Sequence, residues 1–296
     1  MQDFRGTGVA LVTPFFKDHS IDTDSLRRIV RHLIKGKVEY LVVLGTTGES
    51  ATLSAEDKRV VIETVINENA ARLPIVLGVG GNDTHSVAKA LQEYQSDYSL
   101  DGILSVSPYY NKPTQEGIYQ HYRYLAGLTD LPIILYNVPP RTSSNVSAET
   151  CLRLAEIPNI VAMKEASGNL DQCMEIIRHK PDGFSLLSGD DALALPLISL
   201  GGDGIISVTG NAFPAMFSEM VRFALAGDFI SARALHYQLL PLIKLNFKEG
   251  NPAGVKEQMR QRQICQGEVR LPLVAATSGL SKEISAAMSQ LSLPQI

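Results

Sequence analysis

Short apolar runs alternate with longer amphipathic segments along most of the 296-residue chain, and this alternation constrains the fold more than any other feature. The runs are Gly8–Val12, Tyr40–Leu44, Ile75–Gly78, Gly102–Val106, Pro132–Asn137, Ile160–Lys164, Ser185–Ser188 and Gly204–Ser207. They are apolar at successive positions rather than alternate ones, the pattern of strands buried on both faces of a parallel sheet. Helical patterns fill the gaps: Thr23–Lys35, Ala55–Asn67, Thr84–Ser96, Gln115–Gly127, Ala148–Ala155, Leu170–Arg178, Ala192–Leu200 and Phe213–Ala226. Ser54, Asp83, Thr114 and Ser147 mark helix starts, because their side-chain oxygens can accept from first-turn N–H groups. About eight strand–helix units predict an α/β fold of the (β/α)8 barrel type. An open, doubly wound sheet is the alternative, but no G-x-G-x-x-G follows the first strand. After Ala226 the pattern is helical alone, over Asp228–Asn246, Pro252–Gln263 and Ala275–Leu291. The expected organisation is a barrel over residues 1–226 with a three-helix subregion over 227–296, joined without a low-complexity linker.

Charge and cysteine content narrow the class. A net charge of −4 provides no basic footprint for nucleic acid and no attraction to an anionic membrane surface. No apolar run is long enough to cross a bilayer, and the first residues, Met1 to Arg5, lack the pattern of a signal peptide. Three widely spaced cysteines, Cys151, Cys173 and Cys265, read as reduced thiols, so a cytoplasmic protein is expected. The six histidines show no metal-ligand spacing, and no metal is expected.

In a barrel, reactive groups stand at the C-terminal strand ends and on the loops that follow. Lys164 ends the sixth run, where burial disfavours an ammonium and favours a neutral amine that can attack a ketone. The competing possibility is a strand-end lysine paired with Glu165. Imine chemistry also needs proton transfer, and Tyr136 ends the adjacent run. Alone, it would be a barrel-mouth aromatic with a satisfied hydroxyl. Thr46 and Thr47, between Gly45 and Gly48, offer hydroxyls and close N–H groups for a carboxylate, or form a turn ahead of the next helix. Arg141 can hold a carboxylate with its planar fork, although it could equally be a surface arginine. Asp190-Asp191 is read as a helix cap, and Gly201–Gly204 is not read as a phosphate loop because it precedes the last strand.

Four segments, Gly45-Thr-Thr-Gly-Glu-Ser-Ala-Thr52, Tyr109-Tyr-Asn-Lys-Pro113, Tyr136-Asn-Val-Pro139 and Lys164-Glu-Ala-Ser-Gly-Asn169, resemble the dihydrodipicolinate synthase family of the N-acetylneuraminate lyase superfamily. The likeness runs from Gly6 to at least Asn211, and the helical tail is in keeping. It implies a Schiff-base aldolase-type lyase condensing pyruvate with L-aspartate 4-semialdehyde in lysine and diaminopimelate synthesis. Pyruvate would be bound covalently as substrate, with no separate cofactor. Lys164 would form the imine and Tyr136 would move protons beside it. Thr47 and the Ile206 backbone would contact pyruvate. Thr46 and Tyr110 would complete a proton relay, the tyrosine entering from a neighbouring subunit of a homotetramer. Arg141 would receive the semialdehyde carboxylate.

The resemblance has one departure. Lysine-inhibited members carry histidines and a glutamate where Ala55, Lys58 and Ser86 stand here. Two alternatives accompany the main expectation. A sister aldolase could act on N-acetylneuraminate or a keto-deoxy sugar acid, and a non-catalytic barrel could simply bind a keto acid.

Overall fold

A computed structural model describes residues 4–291. The expectation drawn from the chain start therefore falls partly outside the described residues, as do the last five residues of the 227–296 subregion. Eight strands, β1 (Gly6–Ala10), β2 (Tyr40–Val43), β3 (Ile75–Gly78), β4 (Gly102–Val106), β5 (Ile133–Asn137), β6 (Ile160–Glu165), β7 (Ser185–Ser188) and β8 (Gly204–Ser207), follow one another in chain order around a closed barrel. Helices alternate with them: α1 (Thr23–Lys35), α2 (Ala55–Asn69), α3 (Thr84–Asp97), α4 (Gln115–Ala126), the short α5 (Pro139–Thr142), α6 (Ala148–Ala155), α7 (Leu170–His179), α8 (Ala194–Ser199) and α9 (Pro214–Leu225). Helices α10 (Phe229–Phe247), α11 (Ala253–Gln261) and α12 (Ser278–Met288) make the expected C-terminal extension.

Two compact units compose the chain. One comprises Pro74–Ile206 with the described residues before Gly6; the other comprises Gly6–Leu73 with the chain from Ser207. In the first, β3 to β8 pair in parallel, with Val76 opposite Gly102, Ile103 opposite Ile133, Leu135 opposite Met163 and Leu187 opposite Gly204. Residues buried on both faces explain why these runs lack alternation: every residue of β5 and β6 is buried. In the second unit, β1 pairs with β2 in parallel. Gly8 lies opposite Tyr40, and a Cβ at Gly8 would fall 2.1 Å from the tyrosine ring, so only glycine fits beneath it.

The sequence-derived boundaries hold to within two or three residues, with physical reasons for the shifts. The first strand is Gly6–Ala10 rather than Gly8–Val12. Pro132 stays outside β5; lacking an N–H, it contributes its carbonyl, which accepts from Ile103 N at 2.8 Å. The expected helix over Ala192–Leu200 is divided. Asp190 accepts from Ala192 N at 2.8 Å and tightens Asp191–Leu193 into a 3-10 turn before α8. Ser54, Asp83, Thr114 and Ser147 all cap helices as expected, and Ser54 and Asp57 close a reciprocal capping box.

The terminal helices are seated by buried polar bonds as well as apolar packing. Gln258 of α11 donates to Leu242 O at 2.9 Å and to Asn246 Oδ1 at 2.7 Å, both on α10. Asn246 donates onward to Thr209 Oγ1 at 2.9 Å, just past β8. Leu239, Leu242, Ile243, Val255, Met259, Leu280 and Ile284 are buried among them. Each such side chain contributes about 1.5–3 kcal/mol.

Candidate active site

Strands β5 and β6 place Tyr136 directly opposite Lys164 in register. Paired residues of neighbouring parallel strands face the same side of the sheet, so the amine and the phenol must meet. The Lys164 Nζ lies 4.2 Å from the Tyr136 ring centroid, and the two residues are 5% and 7% exposed. Among the described residues no carboxylate pairs with Lys164. Gly189 makes room for its stem, since a Cβ there would lie 3.1 Å from Lys164 Cε and 2.6 Å from Ala166 Cβ.

The alternative of a Lys164–Glu165 ion pair is thereby decided. Glu165 follows Lys164 on a strand, so its side chain leaves from the opposite face. There its carboxylate accepts from Asn137 Nδ2 at 3.0 and 3.2 Å, from Gln172 Nε2 at 2.8 Å and from Ser167 N at 2.6 Å. Asn145 joins the same cluster through Asn137 and Gln172, both at 2.8 Å. One face of this strand pair thus holds an unpaired amine and a phenol, and the other a saturated polar network.

The other expected residues of this unit lie on or after its strands. Arg141 is exposed on α5, a helix missed by the sequence patterns because it is a single turn. Pro139 and Pro140 start it, and Val138 O accepts from Arg141 N at 2.9 Å. No carboxylate pairs with Arg141 among the described residues. Ile206 is fully buried within β8. Tyr110 is 87% exposed, in a left-handed conformation with φ +72°, while Asn111 next to it donates to Asn82 O at 2.9 Å. A tyrosine so exposed finds no cover on its own unit.

In the second unit, Thr46-Thr47-Gly48 form a 3-10 turn after β2, with Thr47 buried and Thr46 exposed. Thr13 Oγ1 donates to Gly48 O at 2.7 Å, which fixes the turn from β1's side. Glu49 follows with φ +55° and is 4% exposed. Its Oε1 accepts from Lys256 Nζ at 2.5 Å and its Oε2 from Arg270 N at 2.9 Å. Asn251 Nδ2 donates to Thr47 Oγ1 at 3.0 Å. Burial pushes the Lys256 ammonium below its ordinary value, with Glu49 pulling the other way. The sequence patterns did not single out Glu49, Asn251 or Lys256. The available signal was a lysine inside the wholly buried stretch Asn251–Met259, a location that demands a partner.

Other candidates resolve as structural groups. Asp190 caps a turn. Asp203, in the glycine-rich segment before β8, pairs with Lys180 at 3.1 Å and accepts from Leu186 N at 3.0 Å. All three cysteines are buried and free of disulfides, and burial pushes the Cys173 and Cys265 thiols up to about 12 and the Cys151 thiol higher still. Such thiols are poor nucleophiles. Among the described residues, no cluster of His, Cys, Asp or Glu is arranged to hold a metal, and no helix is long and apolar enough to cross a membrane.

The fold is thus a closed (β/α)8 barrel in which a buried amine, with no carboxylate partner among the described residues, lies beside a phenol near the C-terminal ends of neighbouring strands, where the reactive groups of barrel enzymes stand. The profile of the Dihydrodipicolinate synthetase family matches residues 3–291. The chain is 52% identical to the 4-hydroxy-tetrahydrodipicolinate synthase of Flavobacterium psychrophilum, over 99% of this chain and all of the relative. It is similar to the crystal structure of dihydrodipicolinate synthase from Aquifex aeolicus, with a TM-score of 0.93 and 40% identity over 97% of this chain and 98% of that one. The chloride-inhibited dihydrodipicolinate synthase from Acinetobacter baumannii, complexed with pyruvate, superimposes with a TM-score of 0.94 at 39% identity over the same shares. The chain belongs to the dihydrodipicolinate synthetase family.

Proposed function

We propose that this protein is a Schiff-base lyase that condenses pyruvate with L-aspartate 4-semialdehyde to 4-hydroxy-tetrahydrodipicolinate, in lysine and diaminopimelate biosynthesis. The observation that carries this reading is the buried Lys164 amine, without a carboxylate partner among the described residues and in register with Tyr136. The amine adds to the C2 carbonyl of pyruvate, and loss of water leaves an imine. Removal of a C3 proton gives an enamine, whose C3 attacks the aldehyde carbon of the semialdehyde. The semialdehyde amino group then adds to the imine carbon, releases Lys164 and closes the ring. Every step moves a proton at or near the imine nitrogen, and the Tyr136 ring, 4.2 Å from the Lys164 Nζ, supports this tyrosine as the group that moves it.

The remaining assignments follow the same reading. Pyruvate is the covalently held substrate and no resident cofactor is required. Thr47 and the Ile206 backbone serve the pyruvate carboxylate, Thr46 belongs to the proton relay, and Arg141, exposed and without a carboxylate partner among the described residues, receives the semialdehyde carboxylate. The exposure of Tyr110 favours a homotetramer in which this ring is covered by a second copy, where it joins the relay. A cytoplasmic location suits the three buried, unpaired thiols.

Substrate choice separates this reading from a sister aldolase. Turnover of pyruvate with aspartate semialdehyde is expected to exceed cleavage of N-acetylneuraminate by on the order of 10²-fold or more in kcat/KM, because Arg141 offers a carboxylate clamp rather than hydroxyl partners. Comparable rates, measured by pyruvate consumption and release, would favour the sister enzyme.

Feedback by lysine is expected to be weak or absent. Lys58 lies on α2, and on α3 Ser86 is an uncharged cap partner whose hydroxyl donates to Asp83, so neither offers an ammonium a counter-charge. Activity halved by sub-millimolar lysine in a steady-state assay would contradict this expectation.

A further inference from the structure

We infer that Lys256 and Asn251 of the C-terminal extension are positioning residues for Thr47, and that the extension thereby sets the affinity for the 2-oxo acid. The inference rests on the reading above, in which Thr47 contacts pyruvate. All the groups involved belong to one compact unit.

The Lys256–Glu49 pair is wholly buried, with side chains 0% and 1% exposed. A buried ion pair is a poor source of stability, because well-packed apolar side chains of similar volume generally do as well or better. Its advantage is direction: the carboxylate is held at two defined points. Glu49 Oε1 receives Lys256 Nζ, and Oε2 receives the Arg270 backbone N–H. Lys256 also donates to Glu268 O at 2.7 Å, so the same chain segment that binds Glu49 binds its partner. Arg270 reaches further, donating to Asp57 Oδ2 at 2.7 Å and Thr52 O at 3.1 Å on the far side of the turn. Only Gly48 separates Glu49 from Thr47, and the backbone between them is a single 3-10 turn. Fixing the carboxylate therefore fixes Thr47.

Asn251 acts on the hydroxyl itself. A threonine hydroxyl has one hydrogen to donate and two lone pairs to accept with. With Asn251 Nδ2 occupying a lone pair, the hydrogen of Thr47 points elsewhere and remains available to an anion. The donated bond also polarises the hydroxyl and strengthens what it gives. The extension thus determines both where Thr47 stands and which way its O–H bond faces.

The test compares Thr47→Val, Asn251→Ala and the double variant Glu49→Gln/Lys256→Met with the parent, in the full-length chain. The double variant removes both charges together, because removing one alone leaves the other buried without a partner. Circular dichroism and melting temperature report folding; initial rates with each substrate varied in turn report KM and kcat. Expected is a rise in pyruvate KM of about tenfold for Thr47→Val, Asn251→Ala and the double variant. KM for aspartate semialdehyde should change by less than about twofold. If Thr47→Val raises pyruvate KM while both extension variants fold and retain the parental value, the positioning role is refuted and the assignment of Thr47 survives. If Thr47→Val itself leaves pyruvate KM unchanged, the assignment of Thr47 fails and the inference falls with it. Should the double variant not fold, Asn251→Ala decides alone, since it removes no charge.

Discussion

Replacing Lys164 with methionine should abolish turnover and leave a more stable protein. The loss in kcat should be on the order of 10⁴–10⁶-fold, the scale seen when a covalent nucleophile is removed from an otherwise intact site. Stability should rise by about 1–3 kcal/mol, since a desolvated amine without a carboxylate partner is exchanged for an apolar chain of similar length. Opposite signs in the two measurements are what identify a functional group. A lysine kept for structure would lower both when removed. The covalent step can be read directly: borohydride with pyruvate should add one reduced pyruvyl group to the peptide containing Lys164, and nothing to the methionine variant. An unmodified parent under the same conditions, or an adduct on another lysine, would remove the basis for the imine.

Tyr136→Phe should keep the fold and the ring that faces Lys164, and lower kcat by about 10²–10⁴-fold, the range for loss of one general acid–base group. The phenylalanine ring fills the same buried space opposite Lys164 on β6, so melting temperature should move little. Borohydride trapping should still occur with the variant, though more slowly, because the amine is untouched. If the variant turned over at the parental rate, the proton route would have to run through another group, and the pairing of phenol and amine across β5 and β6 would be a packing contact.

The barrel was legible because each strand carries its own signal. Runs such as Ile160–Met163 and Ile133–Leu135 are apolar at consecutive positions, and burial on both faces is what produces that pattern. Lys164 and Tyr136 were legible as candidates for a related reason: a polar residue near the end of an apolar strand stands out against its neighbours. Helix ends were readable from Ser54, Asp83, Thr114 and Ser147 because a cap is a local bond, made within three residues. Where local signals were short they failed. Helix α5 is one turn long and has too few residues for a period, and the start of α8 was set two residues early because the turn that Asp190 closes precedes it.

The choice between an imine-forming lysine and one paired with Glu165 could not be made from sequence patterns. Adjacent residues on a strand point to opposite faces, but which carboxylate or amide waits on each face depends on which strands and helices are neighbours. Asn137 and Gln172 hold Glu165 away from the amine, and they arrive from β5 and α7. The same holds for Thr47. Its hydroxyl is aligned by Asn251 and its turn is pinned through Lys256, 204 and 207 residues away from Thr47 and Glu49 respectively.

The sequence by itself determined the alternation of strands and helices, the C-terminal helices, and the candidate amine and phenol, because these follow from the period of burial and from residue chemistry at strand ends. The tertiary structure decided which polar groups are paired with one another. Hydrogen bonds and ion pairs are made within about 3 Å, and only the folded chain brings residues so far apart in sequence to that distance.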